Sequence, residues 1–323
     1  MIDEVYSTVL SVLNKNNYGY LSPSDFNLFA EQAQLDIFED YFFQYNYQLN
    51  KENARKSGTG YADIKKGLEE NIAIFSQFQV LDQPPATLDT ANIYNLPSDY
   101  YFIDKIFYYP QLLFSGTTSA TQGYKLIDGT LNQFTVSAIS PSPPIGSIVV
   151  NTSPAGAPAA PMLTAYVTNV DSVSTLSLSA DIIVGGQNYK VYDANNITQV
   201  EKVNQNKIFN LTSSNLTSPT KQFPAYVLSG NAATVYPSTI NNKGDIMCQY
   251  IRYPKVPKWT FSMVNNSPQF NVGAIDYQDF EVPEDNKVDL TVKILQYAGV
   301  SIRELEVYKF GAAQEELDNQ SEA

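Results

Sequence analysis

The chain has 323 residues, 33 acidic against 20 basic, a formal charge of -13 and a pI near 4.4. That balance argues against a broad nucleic-acid-gripping surface, which is built from clustered Lys and Arg. The absence of histidine removes the commonest general base and metal ligand, and with them every Ser-His or Cys-His triad.

The first 80 residues read as helical. Ile2, Val5, Tyr6, Val9, Leu10 and Leu13 follow i, i+3, i+4, i+7 spacing, and Asn16-Asn-Tyr-Gly19 breaks the pattern. A second helix restarts at Ser22 as N-cap, with Pro23 at the first helical position and Asp25 where a capping-box acid lies. From there to Tyr45 the apolar residues form two stripes. Phe26, Phe29, Ala30, Ala33, Ile37 and Tyr41 make one; Leu28, Leu35 and Phe42, at seven-residue steps, make another about half a turn away at ~100° per residue. A lone surface helix has no use for two apolar faces, so something must pack on each. Tyr61, Ile64, Leu68, Ile72 and Phe75 predict a third helix beyond a connection with turn glycines at Gly58 and Gly60, and Gln83-Pro-Pro-Ala86 ends the region.

The texture then changes. Tyr101–Tyr109, Phe134–Ile139, Ser147–Val150, Leu163–Val170, Ser174–Ser179 and Tyr189–Tyr192 are short, β-branched or aromatic runs. Clusters such as Pro141-Ser-Pro-Pro144 and Pro154-Ala-Gly-Ala-Pro158 separate some of them, and Gly185-Gly186 reads as a turn. Asn231–Pro237 and Gly244–Tyr253 predict closing strands, the latter burying the single cysteine, Cys248, which can close no intramolecular disulfide. Val288, Val292 and Leu295 predict a helix stopped by Gly299; Ser301 with Glu304 caps a last one over Ile302 to about Leu317. The order is an α+β architecture: an N-terminal helical bundle over residues 1–95, a β-sandwich or β-barrel with long Pro/Gly/Asn loops inserted over 96–260, and C-terminal helices over 261–323 packing with the bundle.

Candidate chemistry is thin. Asp36, Glu39 and Asp40, Glu69 and Glu70, and Glu304, Glu306, Glu315 and Glu316 could in principle supply a carboxylate pair for glycoside hydrolysis, but they read as solvated helix faces. Arg252-Tyr-Pro-Lys-Val-Pro-Lys-Trp259 alternates cations with rings as a single-strand stacking platform would, yet its two prolines suit a strand exit, with Trp259 as a packing or subunit-interface anchor. Asn151, Asn196, Asn210 and Asn215 fit the glycosylation pattern by chance of composition. With no leader-like or membrane-spanning run, synthesis in the cytosol is expected. No catalytic residue, cofactor or metal site is expected.

Several blocks carry a resemblance. Leu13-Asn-Lys, Gly19-Tyr-Leu-Ser-Pro-Ser-Asp-Phe-Asn27, Ala33-Gln34 and Ile37-Phe-Glu-Asp-Tyr-Phe42 resemble the opening of virion structural proteins of crAss-like short-tailed bacteriophages. Leu96-Pro-Ser-Asp-Tyr100 resembles their passage into the first strand, and Tyr250 to Trp259 their last strand and its exit. Asp279-Phe-Glu281, Lys293 to Val300 and Arg303 to Val307 resemble their C-terminal helical pair. The anchors cover roughly the first hundred and last eighty residues; the middle matches only in texture. The resemblance implies a ring or adaptor of the head-to-tail connector: a non-enzymatic virion protein, assembled in the host cytoplasm as a cyclic homo-oligomer, usually twelvefold. It would contact the portal and further tail rings, with phage DNA passing without sequence-specific binding. Residue chemistry agrees with large interfaces, since 23 tyrosines and 17 phenylalanines are present. Leu28, Leu35, Phe42 and Trp259 are the candidate interface residues. The rival reading is a receptor- or carbohydrate-binding tail module, and a third a carboxylate-based glycan hydrolase.

Overall fold

The computed structural model describes residues 1–14, 21–55, 62–84, 92–130, 134, 143, 145–152, 162–264 and 267–301. The expected helix break at 16–19, the Gly58 and Gly60 turn, the strand at 135–139, the loop at 154–158 and the last helix at 302–317 lie outside them, as do most of the loop at 141–144 and part of the Pro-Pro stop. The fold is mixed α and β, in two units. One comprises Met1–Phe75 and Tyr253–Ala323; the other is the continuous stretch Ser76–Arg252.

The first unit holds α1 (Ile2–Asn14), α2 (Pro23–Arg55), α3 (Ala62–Ala73) and α5 (Lys287–Ser301). The capping expected at Ser22 forms: the Asp25 N–H donates to Ser22 Oγ at 3.2 Å, and the hydroxyl donates to the Asp25 carboxylate at 2.6 Å. This satisfies one of the first-turn N–H groups that a helix leaves without intrahelical partners. Phe26, Ala30, Ala33, Ile37 and Tyr41 are buried along one face of α2, and α1 contributes Ile2, Val5, Tyr6, Val9 and Leu13. α2 runs ten residues past Tyr45, because Gln48 and Leu49 keep turning inward or half inward. α5 passes through Gly299 rather than stopping there. A mid-helix glycine costs only about 1 kcal/mol, and buried Ile294, Leu295 and Ala298 outweigh it. Asp279 anchors α1: burial opposes its ionisation, but hydrogen bonds from the Met1 ammonium and the Ile2 and Phe280 N–H groups hold its carboxyl below the ordinary range.

The unit also contains a hairpin, β15 (Phe261–Val264) with β16 (Ser267–Phe270). Sequence patterning missed it, since all four β15 residues are exposed and no apolar alternation marks it.

Among the described residues the second unit holds two seven-stranded sheets. The first joins β1 (Ser76–Val80), β14 (Ile246–Arg252), β3 (Tyr100–Tyr108), β11 (Thr198–Lys202), β12 (Ala225–Ser229), β13 (Ala232–Tyr236) and β2 (Ile93–Asn95) in that order. The second runs β4 (Leu112–Thr117), β10 (Asn188–Tyr192), β7 (Ile148–Asn151), β8 (Thr164–Ser172), β9 (Thr175–Leu178), β6 (Lys125–Ile127) and β5 (Ala120–Gln122). Pairing is antiparallel except β11 with β12, whose crossover carries α4 (Gln205–Thr212), as parallel neighbours require. Because β1 and β2 pair here, the boundaries fall at 75/76 and 252/253, not at 95/96 and 260/261. β1 also replaces helix over its five residues: Ser76 to Val80 pair with Ile251 to Met247.

Register follows burial. Ile103 and Ile106 both point inward although three apart, which strict alternation forbids; a register shift between Gln249 and Tyr250 of β14 leaves Asp104 without a paired residue and restores the pleat. Each sheet has its own apolar cluster, and a third joins them through Val80, Tyr109, Ile148, Val150, Met162, Tyr192 and Met247. Beside it, Asp245 accepts from the buried Tyr192 hydroxyl at 2.8 Å and from Asn242 at 3.0 Å, with Lys190 Nζ 3.6 Å away. Burial, then the Asp245 charge, pushes the Tyr192 phenol well above its usual range. Gly244 has φ +92°, in the left-handed region, and a Cβ there would meet the Tyr192 hydroxyl at 3.2 Å, so any other residue would be strained and crowded.

Cys248 is fully buried, and burial followed by Asp104 pushes its thiol up to about 12. Below pH 9 almost no thiolate exists, so a thiol reagent is expected to leave the native protein unlabelled and to label one thiol per chain on unfolding. Rapid native labelling at pH 8 would contradict this placement.

Candidate functional site

The candidate site is an exposed, partly apolar face of α2. On α2 the residues Leu28, Glu31, Leu35, Glu39, Phe42, Phe43 and Asn46 fall on one face, opposite the buried stripe, along about 27 Å of helix. Leu28 is 64% and Phe43 71% exposed, and Glu39 is exposed. Leu35 and Phe42 are half-buried, Phe42 because it meets Phe38 edge-on at 5.1 Å. Phe43 is the residue sequence reasoning missed; it lies on the same face as Phe42, one residue further round. Pro23 to Asn50 contains no basic residue and five acids, so the face is apolar and negative.

Trp259 belongs elsewhere. It is 3% exposed in the single chain and offers a neighbour almost no surface. Its ring packs on Tyr6 at 4.1 Å and stacks with Phe261 and Phe270 at 5.8 and 5.9 Å. Its indole N–H donates to Asp3 at 2.9 Å, and its main chain exchanges hydrogen bonds with the Asn27 side chain at 2.8 and 3.1 Å. Of the two roles expected for it, the structure displays packing: the proline-bearing exit from β14 pins the indole inside the helical unit. Gln34 holds the same segment, donating to the Lys255 carbonyl at 2.8 Å and accepting from the Glu281 N–H at 2.9 Å.

Glu304, Glu306, Glu315 and Glu316 lie outside the described residues, and Asp36, Asp40, Glu69 and Glu70 have separate partners. Asp36 accepts from Gln32 at 3.2 Å and from Tyr297, Asp40 faces Lys293 at 3.3 Å, and Glu69 accepts from Tyr45 at 3.1 Å. Glu70 lies 3.9 Å from Lys66 one turn away. Among the described residues no group of three or more Cys, Asp or Glu could hold a metal ion, and no helix is long and apolar enough to cross a membrane.

No protein-family model and no curated protein matches the chain.

Charge is distributed unevenly over the chain. The helical unit has 12 basic against 23 acidic residues, a net of -11, whereas Ser76–Arg252 has 8 against 10, a net of -2. The α2 face thus belongs to the strongly acidic part of the chain. A second apolar surface lies around α4, where Phe209, Leu216 and Phe223 are all exposed.

Proposed function

We propose that the chain is a non-enzymatic structural subunit of a bacteriophage tail connector, a virion protein forming a cyclic homo-oligomer between the portal and further tail rings. The observation that carries this reading is α2: one face closes the core of its own unit while the other holds Leu28, Leu35, Phe42 and Phe43 at least partly in solvent. A monomer gains nothing from that arrangement, whereas a head-to-tail neighbour in a ring buries it. In this reading the helices make an adaptor-like ring body and the β unit is an inserted sandwich. The excess of acid on the helical unit would keep passing DNA from adhering.

The test is assembly. Leu28→Gln, Leu35→Gln and Phe43→Gln together keep helix-forming residues at exposed or half-exposed positions, and Phe42 stays to support Phe38. The expected result is loss of rings at concentrations where the parent chain is fully assembled, with unchanged circular dichroism. Rings of undiminished abundance would show that this face is idle. Virion images with the labelled chain at the portal vertex support the connector; label at fibre tips would move the protein to receptor binding.

A further inference from the structure

We propose that the crossover between β11 and β12 is a docking finger that seats on the outer face of α2 in a second copy of this chain. The contact rests on the ring reading above and supplies it with a partner surface.

Residues 202–223 carry three lysines, Lys202, Lys207 and Lys221, and no acid, within a chain of net -13. All three lysines are exposed, and none makes an ion pair with a described residue. The finger is held by its own packing. Ile208 of α4 is buried against Ala225 and Val227, with Val203 and Tyr236 beside it. Thr217 Oγ1 donates to the Leu211 carbonyl at 3.2 Å, and Thr220 and Phe223 exchange main-chain hydrogen bonds at 3.2 and 3.1 Å. On this ordered base Phe209, Leu216 and Phe223 stand in solvent, Leu216 being 93% exposed. Holding three large apolar side chains in water on a fixed scaffold is the mark of an interface.

The occupant follows from charge. The finger is apolar and positive; the outer face of α2 is apolar through Leu28, Leu35 and Phe43 and negative through Glu31 and Glu39. The two are complementary in both respects, and two different patches meeting head to tail make a heterologous contact, which can close into a ring. An anionic membrane fits less well, because the whole chain is acidic and would be repelled.

Leu216→Cys and Phe43→Cys chains are mixed and oxidised, with Leu216→Cys plus Ser7→Cys as the control pair. The buried native Cys248 does not compete. A mixed disulfide forming at least about tenfold faster than in the control is expected. Lys202→Glu, Lys207→Glu and Lys221→Glu in the first chain should slow it about tenfold, and Glu31→Lys with Glu39→Lys in the second should restore it, as steering between complementary charges requires. No excess over the control overturns the contact. So does indifference to charge reversal, or lysine-dependent flotation with phosphatidylserine vesicles in place of cross-linking. Sedimentation separates this from the ring reading. Assemblies that survive the triple lysine reversal overturn the contact and leave the ring standing, whereas a closed two-copy species dissolved by it keeps the contact and overturns the ring.

Discussion

Trp259→Ala is expected to lower the unfolding free energy of the helical unit by about 3–5 kcal/mol, the range for deleting a large buried aromatic. The indole touches Tyr6 at 4.1 Å and is stacked with the cross-strand neighbours Phe261 and Phe270, so its removal opens a cavity lined by rigid rings that cannot collapse into it. The variant also strips Asp3 of the 2.9 Å hydrogen bond from the indole N–H. Trp259→Phe keeps most of the volume and loses that bond, for an expected loss of about 1–2 kcal/mol. Guanidinium unfolding followed by circular dichroism reads both. A loss under about 1 kcal/mol for the alanine variant would mean that α1 and the hairpin close over the gap.

Asp245→Ala is expected to cost about 2–4 kcal/mol, because it leaves buried partners without their acceptor. Tyr192 is 1% exposed and its hydroxyl has Asp245 at 2.8 Å; Asn242 and Lys190 lie at 3.0 and 3.6 Å from the same carboxylate. These groups sit where the cores of the two sheets meet, so the damage reaches both. Pairing the change with Tyr192→Phe in a double-mutant cycle should recover about 1 kcal/mol or more, since the phenol no longer needs an acceptor. Additive losses in urea unfolding would show that the two groups are independent.

Sequence pattern reached the elements whose neighbours lie close along the chain. Ser22, Pro23 and Asp25 announce the start of α2, and the capping hydrogen bonds form there as expected. β3, β8, β10, β13 and β14 fall within a residue or two of their β-branched and aromatic runs. β4, β11 and β12 are not among those runs, and several of the other strands outside them are short or lack apolar contrast: the exposed β5, the three-residue β2 and β6, and the hairpin β15–β16. β1 failed for another reason. Its residues Ser76 to Val80 continue a helical pattern, and only pairing with β14, some 170 residues later, turns them into a strand.

By itself, the sequence determined the composition-level exclusions, the capped second helix with apolar residues on both sides, and the helix, strand, helix order of the chain. Those depend on residue type and spacing within a turn or two, which the chain states locally. Tertiary structure alone decided which side of α2 is core, because both stripes are apolar and only packing, against α5 and against Tyr6 of α1 at Phe26, chooses between them. It also decided that Trp259 is buried and that Phe43 stands out, since burial belongs to the neighbours a residue acquires from distant segments.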